Sequence, residues 1–563
     1  MALYKEQKGK KLTEEQFQNP TSEYRGAPFW AWNNKLDRDQ LLRQIDYFKQ
    51  MGMGGFHIHC RAGLDTPYMG AEYQSIVAAC CQKAKQEGLL CWLYDEDRWP
   101  SGSAGGMVTK NSEYCQRRLI FTAFEHPSQE FVKGESLTYG VLYHMAEYAV
   151  TVQDGILQEY ERIAPGDIIP TSARRWYAYL TIAPRNDSFN GESYVDTLNK
   201  RAIEKFIEKT HQEYYCALGS EFGRTVPAIF TDEPQFASKQ TLVRCDEPQE
   251  IQIPFTDDLE EAYQEESLLD KLPELFWELP EGVSVARYRF HNFVAERFAE
   301  SFADTIGQWC EAHGIMLTGH MMAEDTLMSQ TSVLGDAMRS YRSFQLPGID
   351  ILMDRREFAT AKQAQSASHQ YGREGVLSEL YGVTNWDFDF RGHKLQGDWQ
   401  AALGVTTRVP HLTWVSMKGE AKRDYPASIG YQSPWYQEYS MVEDHFARVN
   451  MALTRGKARV RVGVIHPVES VWLYYGSNEK TGAIREELQE NFQNLLQWML
   501  FGLIDFDYIC ESLLPSQCSV KETDVLQVGQ MQYEAVVVPG CVTLRSSTLE
   551  SLEAFARGGG RVI

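Results

Sequence analysis

Residues 226–236, VPAIFTDEPQF, are the stretch that most strongly indicates the fold. The apolar run predicts a buried strand, and it stops abruptly at Asp232, Glu233 and Pro234. Because Pro234 cannot donate to a sheet and restricts Glu233 to an extended or turn conformation, we expect two carboxylates at the carboxyl end of this strand. Enzymes built on a parallel barrel keep their reactive groups at that end. The alternative is that Asp232 and Glu233 only cap the next helix.

Strand and helix patterns alternate on both sides of this stretch. Further apolar runs predict strands at residues 28–33, 54–60, 89–94, 314–321, 348–353, 375–382 and 411–419. Apolar residues at helical spacing separate most of these runs, which is the pattern of a parallel α/β sheet. Eight strand-helix units close most economically into a (β/α)8 TIM barrel. An open doubly wound sheet is the alternative, but no glycine-rich dinucleotide-binding fingerprint supports it.

We expect the barrel to fill residues 1–455, with two insertions. Short β-like runs replace the helical pattern at about residues 105–187 and predict a small inserted β domain, and a second insertion covers about residues 237–280. Residues 456–563 begin a new alternation of strands and helices, which predicts a flavodoxin-like or glutamine amidotransferase-like α/β domain. Residues 561–563 have the pattern of another starting strand, so we expect this domain to be cut short.

The chain has 563 residues and a formal net charge of -22, with an isoelectric point near 5.1. A chain of this length is expected to divide into more than one domain, and the acidic balance argues against nucleic acid as a partner. No apolar run is long enough to span a membrane, and the amino terminus lacks the apolar core of a secretory signal. The cysteines are scattered without a CxxC pair, as is typical of reduced thiols in a cytoplasmic protein. A homo-oligomer stays an open alternative to a monomer.

Two glutamates stand at predicted strand tips in apolar surroundings, Glu233 after the fourth strand and Glu379 after the seventh. Strands four and seven of a barrel face each other across its mouth, so the two carboxyls can flank one scissile bond. Glycoside hydrolysis needs this arrangement: one carboxylic acid protonates the leaving oxygen while the other acts as nucleophile or activates water. Burial near aromatic side chains raises the pKa of a carboxyl, as a general acid requires. The alternative is that both glutamates form structural ion pairs.

Other polar and aromatic residues are expected around the same mouth. Tryptophans there would stack on sugar rings, and short polar side chains would bind hydroxyl groups. Each of these residues has an alternative role in the core or in an ion pair. The candidates for substrate binding are Trp30, Trp32, His57, His59, Arg61, Asp95, Asp97, Arg98, Asp232, His320, Glu324, Trp386, Trp414 and Lys418.

The pair His57 and His59 also permits a different hypothesis, because a HxH pair inside a barrel can bind zinc. His320 could supply a further ligand, but the predicted eighth strand offers no aspartate and the sixth ends without a histidine. The protein would then be a zinc hydrolase. The barrel has enough carboxylates for calcium, although they lack the spacing of an EF-hand. The metal ligands, if there are any, stay unassigned.

Six short motifs in order along the chain resemble glycoside hydrolase family 106 and its relatives, whose characterised activity is α-L-rhamnosidase. They are PFWAWN from Pro28, GGFHIH from Gly54, LYDEDRWPSGSAGG from Leu93, YVDTLN from Tyr194, IFTDEP from Ile229 and LSELYG from Leu377. The resemblance covers about residues 26–419. The tail from about Lys457 is similar to the flavodoxin-like domain that follows the barrel in family 42 β-galactosidases.

The resemblance implies that the two catalytic glutamates are Glu233 and Glu379. By analogy with barrel glycosidases, Glu233 is the general acid and Glu379 the base or nucleophile. The family 106 resemblance implies inversion with calcium (Ca2+) near the substrate, whereas the family 42 resemblance implies retention through a glycosyl-enzyme. The carboxyl separation distinguishes these mechanisms, at about 5 to 5.5 Å for retention and about 6.5 to 9.5 Å for inversion.

We therefore expect a cytoplasmic glycosidase of carbohydrate metabolism that acts on an oligosaccharide or glycoside. An α-L-rhamnosidase is the first hypothesis, and a family 42-like β-galactosidase is the second. The alternative from another class is a catalytically inactive carbohydrate-binding barrel protein.

Overall fold

The computed structural model describes residues 3–4, 11–263, 267–422 and 428–563. Its largest sheet has nine strand segments, and all of them pair in parallel. In chain order they are Phe29–Trp32, Gly55–Cys60, Leu90–Tyr94, Ala228–Asp232, Met316–His320, Leu346–Ile351, Val376–Leu380, Val405–Pro410 and Thr413–Trp414. The first eight are called strands one to eight below. Each strand lies beside its neighbours in the chain, which is the strand order of a barrel.

The eighth strand closes this sheet. Val405–Pro410 pairs with strand seven, and Thr413–Trp414 pairs with strand one. Only His411 and Leu412 separate the two segments, so one continuous stretch joins both edges of the sheet. The (β/α)8 TIM barrel expected from the sequence is therefore confirmed.

The predicted strand eight, residues 411–419, contains the segment Thr413–Trp414 but misses the longer segment Val405–Pro410. Gly404, with a φ of 93°, lies just past the helix Phe390–Ala402, and the strand begins directly at Val405. A glycine adopts this left-handed backbone without steric cost, so helix and strand need almost no connection. The predicted start of the strand was wrong. The sequence pattern indicates a helix at about residues 399–404, and the residues after it, VTTRVP, were not assigned to a strand.

Helices surround the barrel, and polar side chains cap them in the ordinary way. Asp37 accepts a hydrogen bond from the backbone N–H of Gln40, and Asn199 caps the helix before strand four. The α-helices up to residue 455 are Glu14–Gln18, Arg38–Gln50, Ala71–Glu87, Lys200–Lys209, His211–Leu218, Leu259–Ala262, Leu268–Lys271, Val285–Phe298, Thr305–His313, Leu327–Val333, Ala337–Tyr341, Phe358–Gln370, Phe390–Ala402 and Ser440–Leu453. A π-helical segment, Ala299–Asp304, joins two of them. Short 3-10 helices are Ser22–Tyr24, Ser112–Tyr114, Asp187–Phe189, Gly219–Glu221, Leu272–Leu275, Gly419–Lys422 and Tyr436–Glu438.

A six-stranded sheet lies outside the barrel and draws on both insertions. Its strands are Arg117–Thr122, Gln129–Glu130, Tyr143–Gln153, Ile156–Ile163, Arg174–Ile182 and Glu250–Phe255. The last of these comes from the second insertion and pairs antiparallel with the first. Rings of Phe121, Trp176 and Phe276 stack behind this sheet. The two insertions therefore share one β unit.

The carboxyl-terminal part contains a four-stranded parallel sheet. Its strands are Val462–Ile465, Asp507–Ile509, Ala535–Val537 and Arg561–Val562, in the spatial order second, first, third, fourth. That order is the one found in flavodoxin-like folds. Its helices are Val468–Leu473, Asn478–Phe501, Leu514–Gln517 and Ser546–Arg557, and a hairpin adds Leu526–Val528 and Met531–Tyr533. Across the described residues, no helix is both long and apolar enough to cross a membrane.

Candidate active site

Polar side chains from four neighbouring strands meet at the carboxyl end of the barrel. Asp232 ends strand four and lies beside His320, the last residue of strand five. Asp350 on strand six lies beside Glu379 on strand seven. The candidate ligand atoms of His320, Asp350 and Glu379 lie within 4.8 Å of one another. The strand tips thus form one polar layer at the position where barrel enzymes hold their reactive groups.

An aromatic floor supports this layer from inside the barrel. The ring of Phe29 lies 5.0 Å from the ring of Phe230 and 5.8 Å from that of Tyr94. Phe230 also contacts the imidazole of His320 edge-on, with ring centroids 5.4 Å apart. The polar groups therefore lie on an apolar base, where their charges are poorly screened by water.

His320 is the centre of the site. Its Nε2 lies 2.9 Å from Oε2 of Glu379 and 3.5 Å from Oδ1 of Asp232. Its side chain is 1% exposed, and burial alone would lower its pKa. The hydrogen bond to Glu379 and the charges of Asp232 and Glu379 outweigh burial and hold the pKa of His320 well above its usual value. These contacts favour the imidazolium form of His320, which donates through Nε2.

Glu233 follows Asp232 and has a left-handed backbone with a φ of 47°, whereas the sequence predicted an extended or turn conformation. Its backbone N–H donates to the carbonyl of His320 over 3.2 Å, which fixes the peptide against strand five. The side chain is partly exposed. Burial, followed by the charge of Asp232, raises the pKa of Glu233 to about 8. This carboxyl therefore keeps its proton at neutral pH.

Glu379 is buried, with 6% of its surface exposed. Burial raises its pKa, and the hydrogen bond from His320 opposes that rise. Nε2 of His411, which follows strand eight, lies 3.7 Å from Oε1 of Glu379. The donation from His320 favours the ionised form of Glu379, against the effect of burial.

Left-handed backbone recurs just past the tips of strands four to seven. The φ angles are 47° at Glu233, 53° at Ala323, 58° at Met353 and 75° at Tyr381. Such conformations cost free energy in residues other than glycine, and they are concentrated at functional sites. The strain at four consecutive strand ends marks this edge of the barrel as the functional one.

Asp95 and Asp232 are joined through a serine that the sequence analysis did not single out. Ser101 donates to Oδ1 of Asp95 over 2.6 Å and accepts from the backbone N–H of Asp232 over 2.8 Å. Tyr94 donates to Oδ2 of Asp232 over 2.6 Å. Asp95 has no exposed surface, so it anchors the loop after strand three beneath the mouth.

His57 and His59 are both fully buried inside the barrel, at different depths. Nδ1 of His57 bonds the carbonyl of Ala27 over 2.8 Å, and burial lowers the pKa of His57 to about 3. Nε2 of His59 lies 3.0 Å from Nη1 of Arg61, whose guanidinium also stacks on Trp99 at 4.4 Å. Arg61, which follows these histidines, lines a cleft, and His59 contacts its guanidinium from the buried side.

The tryptophans predicted as sugar platforms occupy different environments. Trp30 and Trp32 have no exposed surface and point outwards, where Trp30 packs on Phe48 and donates to Gln44 over 2.7 Å. They lie between the barrel and its first helix, away from the mouth. Trp386 is 45% exposed in the loop after strand seven.

The remaining predicted residues differ in how deeply they are buried. Trp414 is buried inside the barrel, beneath the guanidinium of Arg61. Lys418 is exposed beyond the last strand segment. Glu324 is buried after strand five, where it accepts hydrogen bonds from the backbone N–H of Met321 and from Tyr341. Trp414 and Glu324 therefore support the mouth from buried positions.

A polar cleft of about 180 Å³ opens beside Arg61. Asp97, Arg98 and Asn190 line it together with the loop after strand two. Nδ2 of Asn190 donates to Oδ2 of Asp97 over 3.0 Å, and Arg98 donates to Oδ1 of Asn190. Asn190 lies near the end of the first insertion, outside the predicted set. The cleft offers paired donors and acceptors of the kind that bind hydroxyl groups.

Two groups of residues, Asp232 with Glu233 and His320, and His320 with Asp350 and Glu379, could hold a cation on distance alone. Calcium takes about six to eight oxygen ligands, whereas both groups depend on a nitrogen of His320. Nε2 of His320 is also already in hydrogen-bond contact with Glu379. The residues therefore do not fit calcium. Within the described ranges, neither His57 nor His59 belongs to a candidate metal group, so the zinc hypothesis also lacks support.

Besides Ser101 and Asn190, three residues of the site fall outside the sequence prediction: Tyr94, Asp350 and His411. Tyr94 and Asp350 lie inside apolar strands, and only the pairing of those strands brings them to the mouth. An isolated carboxylate inside the run GIDILM was the one available signal for Asp350, because a charge in a buried strand needs a partner.

The whole chain is similar to solved structures of glycoside hydrolases. A rhamnosidase from Novosphingobium sp. PP1Y matches with a TM-score of 0.67 and 15% identity, over 98% of this chain and 70% of that chain. Gan42B, a GH42 β-galactosidase from G. stearothermophilus, matches with a TM-score of 0.53 and 12% identity, over 95% and 70% of the two chains. A β-galactosidase from Rahnella sp. R3 matches with a TM-score of 0.52 and 11% identity, over 97% of this chain and 71% of that chain.

These likenesses establish a shared fold, because the identities are too low to carry more. No protein-family profile and no curated protein matches the sequence.

Proposed function

We propose that this protein is a glycoside hydrolase that cleaves O-glycosidic bonds, with Glu233 as general acid and Glu379 as nucleophile or general base. The observation that carries the proposal is the position of His320. Its imidazolium bonds to one glutamate, while its backbone carbonyl holds the other. Such an arrangement gives the two carboxyls different protonation states at the same pH.

Glu233 is suited to the acid role. Its pKa, raised to about 8, keeps the carboxyl protonated at neutral pH, and its side chain is partly exposed at the mouth. It can donate its proton to the glycosidic oxygen as the bond from that oxygen to the anomeric carbon breaks. Donation leaves a carboxylate that can later take a proton from water.

Glu379 is suited to the opposite role. The hydrogen bond from His320 favours its ionised form, and the neighbouring Asp350 can hold a proton of its own. An ionised Glu379 either attacks the anomeric carbon and forms a glycosyl ester, or removes a proton from an attacking water. The first route retains and the second inverts the anomeric configuration, which NMR of the first-formed product distinguishes.

We propose an α-L-rhamnoside as substrate, because the rhamnosidase fold is more similar to this chain than the two β-galactosidase folds are. A β-D-galactoside is the second candidate. Arg61, Asp97 and Arg98 would bind sugar hydroxyls from the polar cleft, and the exposed Trp386 would stack on a sugar ring or an aglycone.

A panel of nitrophenyl glycosides tests the activity, with α-L-rhamnoside and β-D-galactoside foremost. We expect nitrophenol release from at least one member and inactivity of Glu233→Gln and Glu379→Gln. Glu511→Gln is the matched control, because Glu511 is a buried carboxyl just past the strand Asp507–Ile509 of the carboxyl-terminal sheet. Sugar binding by calorimetry without turnover of any glycoside would instead indicate a carbohydrate-binding protein.

A further inference from the structure

A chain of buried hydrogen bonds leads from the carboxyl-terminal sheet to the barrel mouth. It begins at His466, which follows the strand Val462–Ile465 and is 1% exposed. Nε2 of His466 lies 2.9 Å from Oε1 of Gln363, on the barrel helix after strand six. Gln363 has no exposed surface. The bond therefore joins the carboxyl-terminal sheet to a helix of the barrel at a buried position.

The partners fix the direction of this first bond. Nε2 of Gln363 donates to the backbone carbonyl of Glu324 over 2.9 Å, so the amide oxygen faces His466. That oxygen also accepts from Nε2 of Gln330 over 2.7 Å. His466 must therefore donate through Nε2. Its Nδ1 has no hydrogen-bond partner among the described residues, as fits a neutral imidazole with a pKa lowered by burial.

The chain continues to the proposed catalytic groups. The carboxylate of Glu324 accepts from the backbone N–H of Met321 over 2.8 Å and from Tyr341. Met321 directly follows His320, whose carbonyl accepts the backbone N–H of Glu233 over 3.2 Å. The loop after strand five thus connects His466 with both His320 and Glu233.

A helix of the carboxyl-terminal part supports the same loop independently. Oε1 of Gln489 accepts from the backbone N–H of Leu327 over 2.8 Å, and Nε2 of Gln493 donates to the carbonyl of Asp325 over 3.4 Å. Both belong to the helix Asn478–Phe501. Two direct bonds from this helix, and the bond of His466 acting through Gln363, therefore converge on residues 324–327.

We propose that the carboxyl-terminal α/β part is a working component of the active site, in which His466 is a positioning residue that holds the strand-five loop through Gln363. This inference rests on the proposed glycosidase function. Loss of the bond lets the backbone of Glu324 and Met321 relax, and displaces His320 relative to Glu379. Misplacement of a positioned group lowers turnover even where no substrate contact is lost.

The test compares three variants. His466→Leu removes the donor at similar volume, and His466→Gln retains a donor at the position of Nε2. His369→Leu is the matched control, because Nδ1 of His369 bonds Asp507 of the same sheet over 2.8 Å without leading to the strand-five loop. Thermal melts identify the variants that are folded at the assay temperature.

We expect kcat to fall roughly 3- to 30-fold in His466→Leu, with a smaller change in KM. His466→Gln should recover most of that loss, and His369→Leu should keep the kcat of the parent protein. The proposal is overturned if His466→Leu and His369→Leu lose kcat equally, since the bond would then serve only to dock the two parts.

Hydrogen exchange supplies a readout that needs no activity. In His466→Leu, peptides covering residues 316–327 should exchange faster than in the parent, while His369→Leu should leave them unchanged. Unchanged protection of these peptides in His466→Leu would refute the positioning role. An inactive parent protein with the expected exchange pattern would instead refute only the glycosidase function.

Discussion

Asp350 on strand six lies directly beside Glu379 on strand seven, so two carboxyls occupy adjacent positions in the mouth of the barrel. Burial, followed by the charge of Glu379, raises the pKa of Asp350 well above its usual value. His320 bonds to Glu379, whereas Oδ1 of Asp350 has no hydrogen-bond partner in the described part of the chain. We therefore expect the pair to share one proton at neutral pH, with Asp350 as its holder.

Asp350→Asn should therefore change the activity only slightly and should stabilise the folded protein at neutral pH. An asparagine imitates the protonated carboxyl, so kcat/KM should stay within about tenfold of the parent, unlike the losses that follow removal of a catalytic acid or base. A group whose folded pKa is raised contributes stability that is present below its unfolded pKa and is lost as pH rises. The variant should thus gain unfolding free energy relative to the parent between pH 4 and pH 7, in the direction set by the raised pKa of Asp350.

Urea unfolding at both pH values measures this difference. If the unfolding free energies of variant and parent differ by the same amount at pH 4 and pH 7, Asp350 is ionised in the folded protein at neutral pH. Asp389→Asn is the control, because Asp389 is exposed at the start of the helix Phe390–Ala402 and faces no other carboxyl of the site.

Glu233 should determine the alkaline limb of the pH–rate profile. Its pKa is raised to about 8 by burial and by the charge of Asp232, so kcat/KM should fall as pH rises through that value and the acid loses its proton. A dinitrophenyl glycoside needs little protonation of its leaving group. We expect the limb to flatten with that substrate, and Glu233→Gln to lose much less activity on it than on a nitrophenyl or alkyl glycoside.

The same profile can contradict the assignment. If the alkaline limb is equally steep for activated and unactivated leaving groups, the titrating group does not protonate the leaving oxygen. Loss of activity on the activated substrate that matches the loss on the alkyl glycoside would also exclude Glu233 as the general acid.

His320 should set the acid limb. In His320→Gln, Glu379 loses both a charge-assisted hydrogen bond and a neighbouring positive charge, so its pKa should rise and the acid limb of kcat/KM should move to higher pH. Removal of a hydrogen bond to a charged group predicts a loss of roughly 10- to 100-fold at pH 7. His445→Gln is the control, because His445 pairs with Asp398 between two outer helices. An unshifted acid limb would show that His320 does not hold Glu379 ionised.

The strand tips show which features of the site the sequence could predict. Glu233 and Glu379 each follow an apolar run, and an apolar run predicts a buried strand whatever its neighbours are. The link between Glu379 and His320 depends on which strands lie side by side, and Asp350 gains its meaning from its register with Glu379. Sequence patterns fix the period of a strand but not its register, so these contacts could not be derived.

Trp30 and Trp32 illustrate a second limit. The sequence correctly predicts that they share one face of strand one, since side chains alternate along a strand. In a parallel barrel both faces of each strand are buried, one by the barrel interior and one by the helices, so no polar residue marks which face is which. The helix-facing side is filled by the two tryptophans, and the interior by Phe29 and Ala31.

Removal of metal ions should leave the activity unchanged. Among the residues that the structure describes, both groups that could hold a cation include His320, which is bonded to Glu379. Dialysis against EGTA and then EDTA, followed by the glycoside assay and metal analysis, tests this expectation. Activity that falls with chelation and returns with calcium would contradict the imidazolium and support a calcium site.

Trp30 and Trp386 should separate stability from substrate binding. Trp30→Phe leaves the buried Oε1 of Gln44 without its donor, which costs about 1 to 3 kcal/mol of unfolding free energy, whereas KM should stay unchanged because Trp30 lies behind the barrel wall. Trp386→Ala removes a half-exposed ring from the loop after strand seven. Its unfolding free energy should change by less than about 0.5 kcal/mol, as for other surface substitutions.

Trp386→Ala should weaken substrate binding although it hardly changes stability. Loss of a ring that stacks on a sugar or an aglycone predicts a rise in KM of roughly 2- to 10-fold with little change in kcat. Trp498→Ala is the matched control, because Trp498 is 71% exposed on the helix Asn478–Phe501, outside the barrel. A higher KM in Trp30→Phe, or an unchanged KM in Trp386→Ala, would show that the substrate approaches the glutamates by a path other than the loop after strand seven.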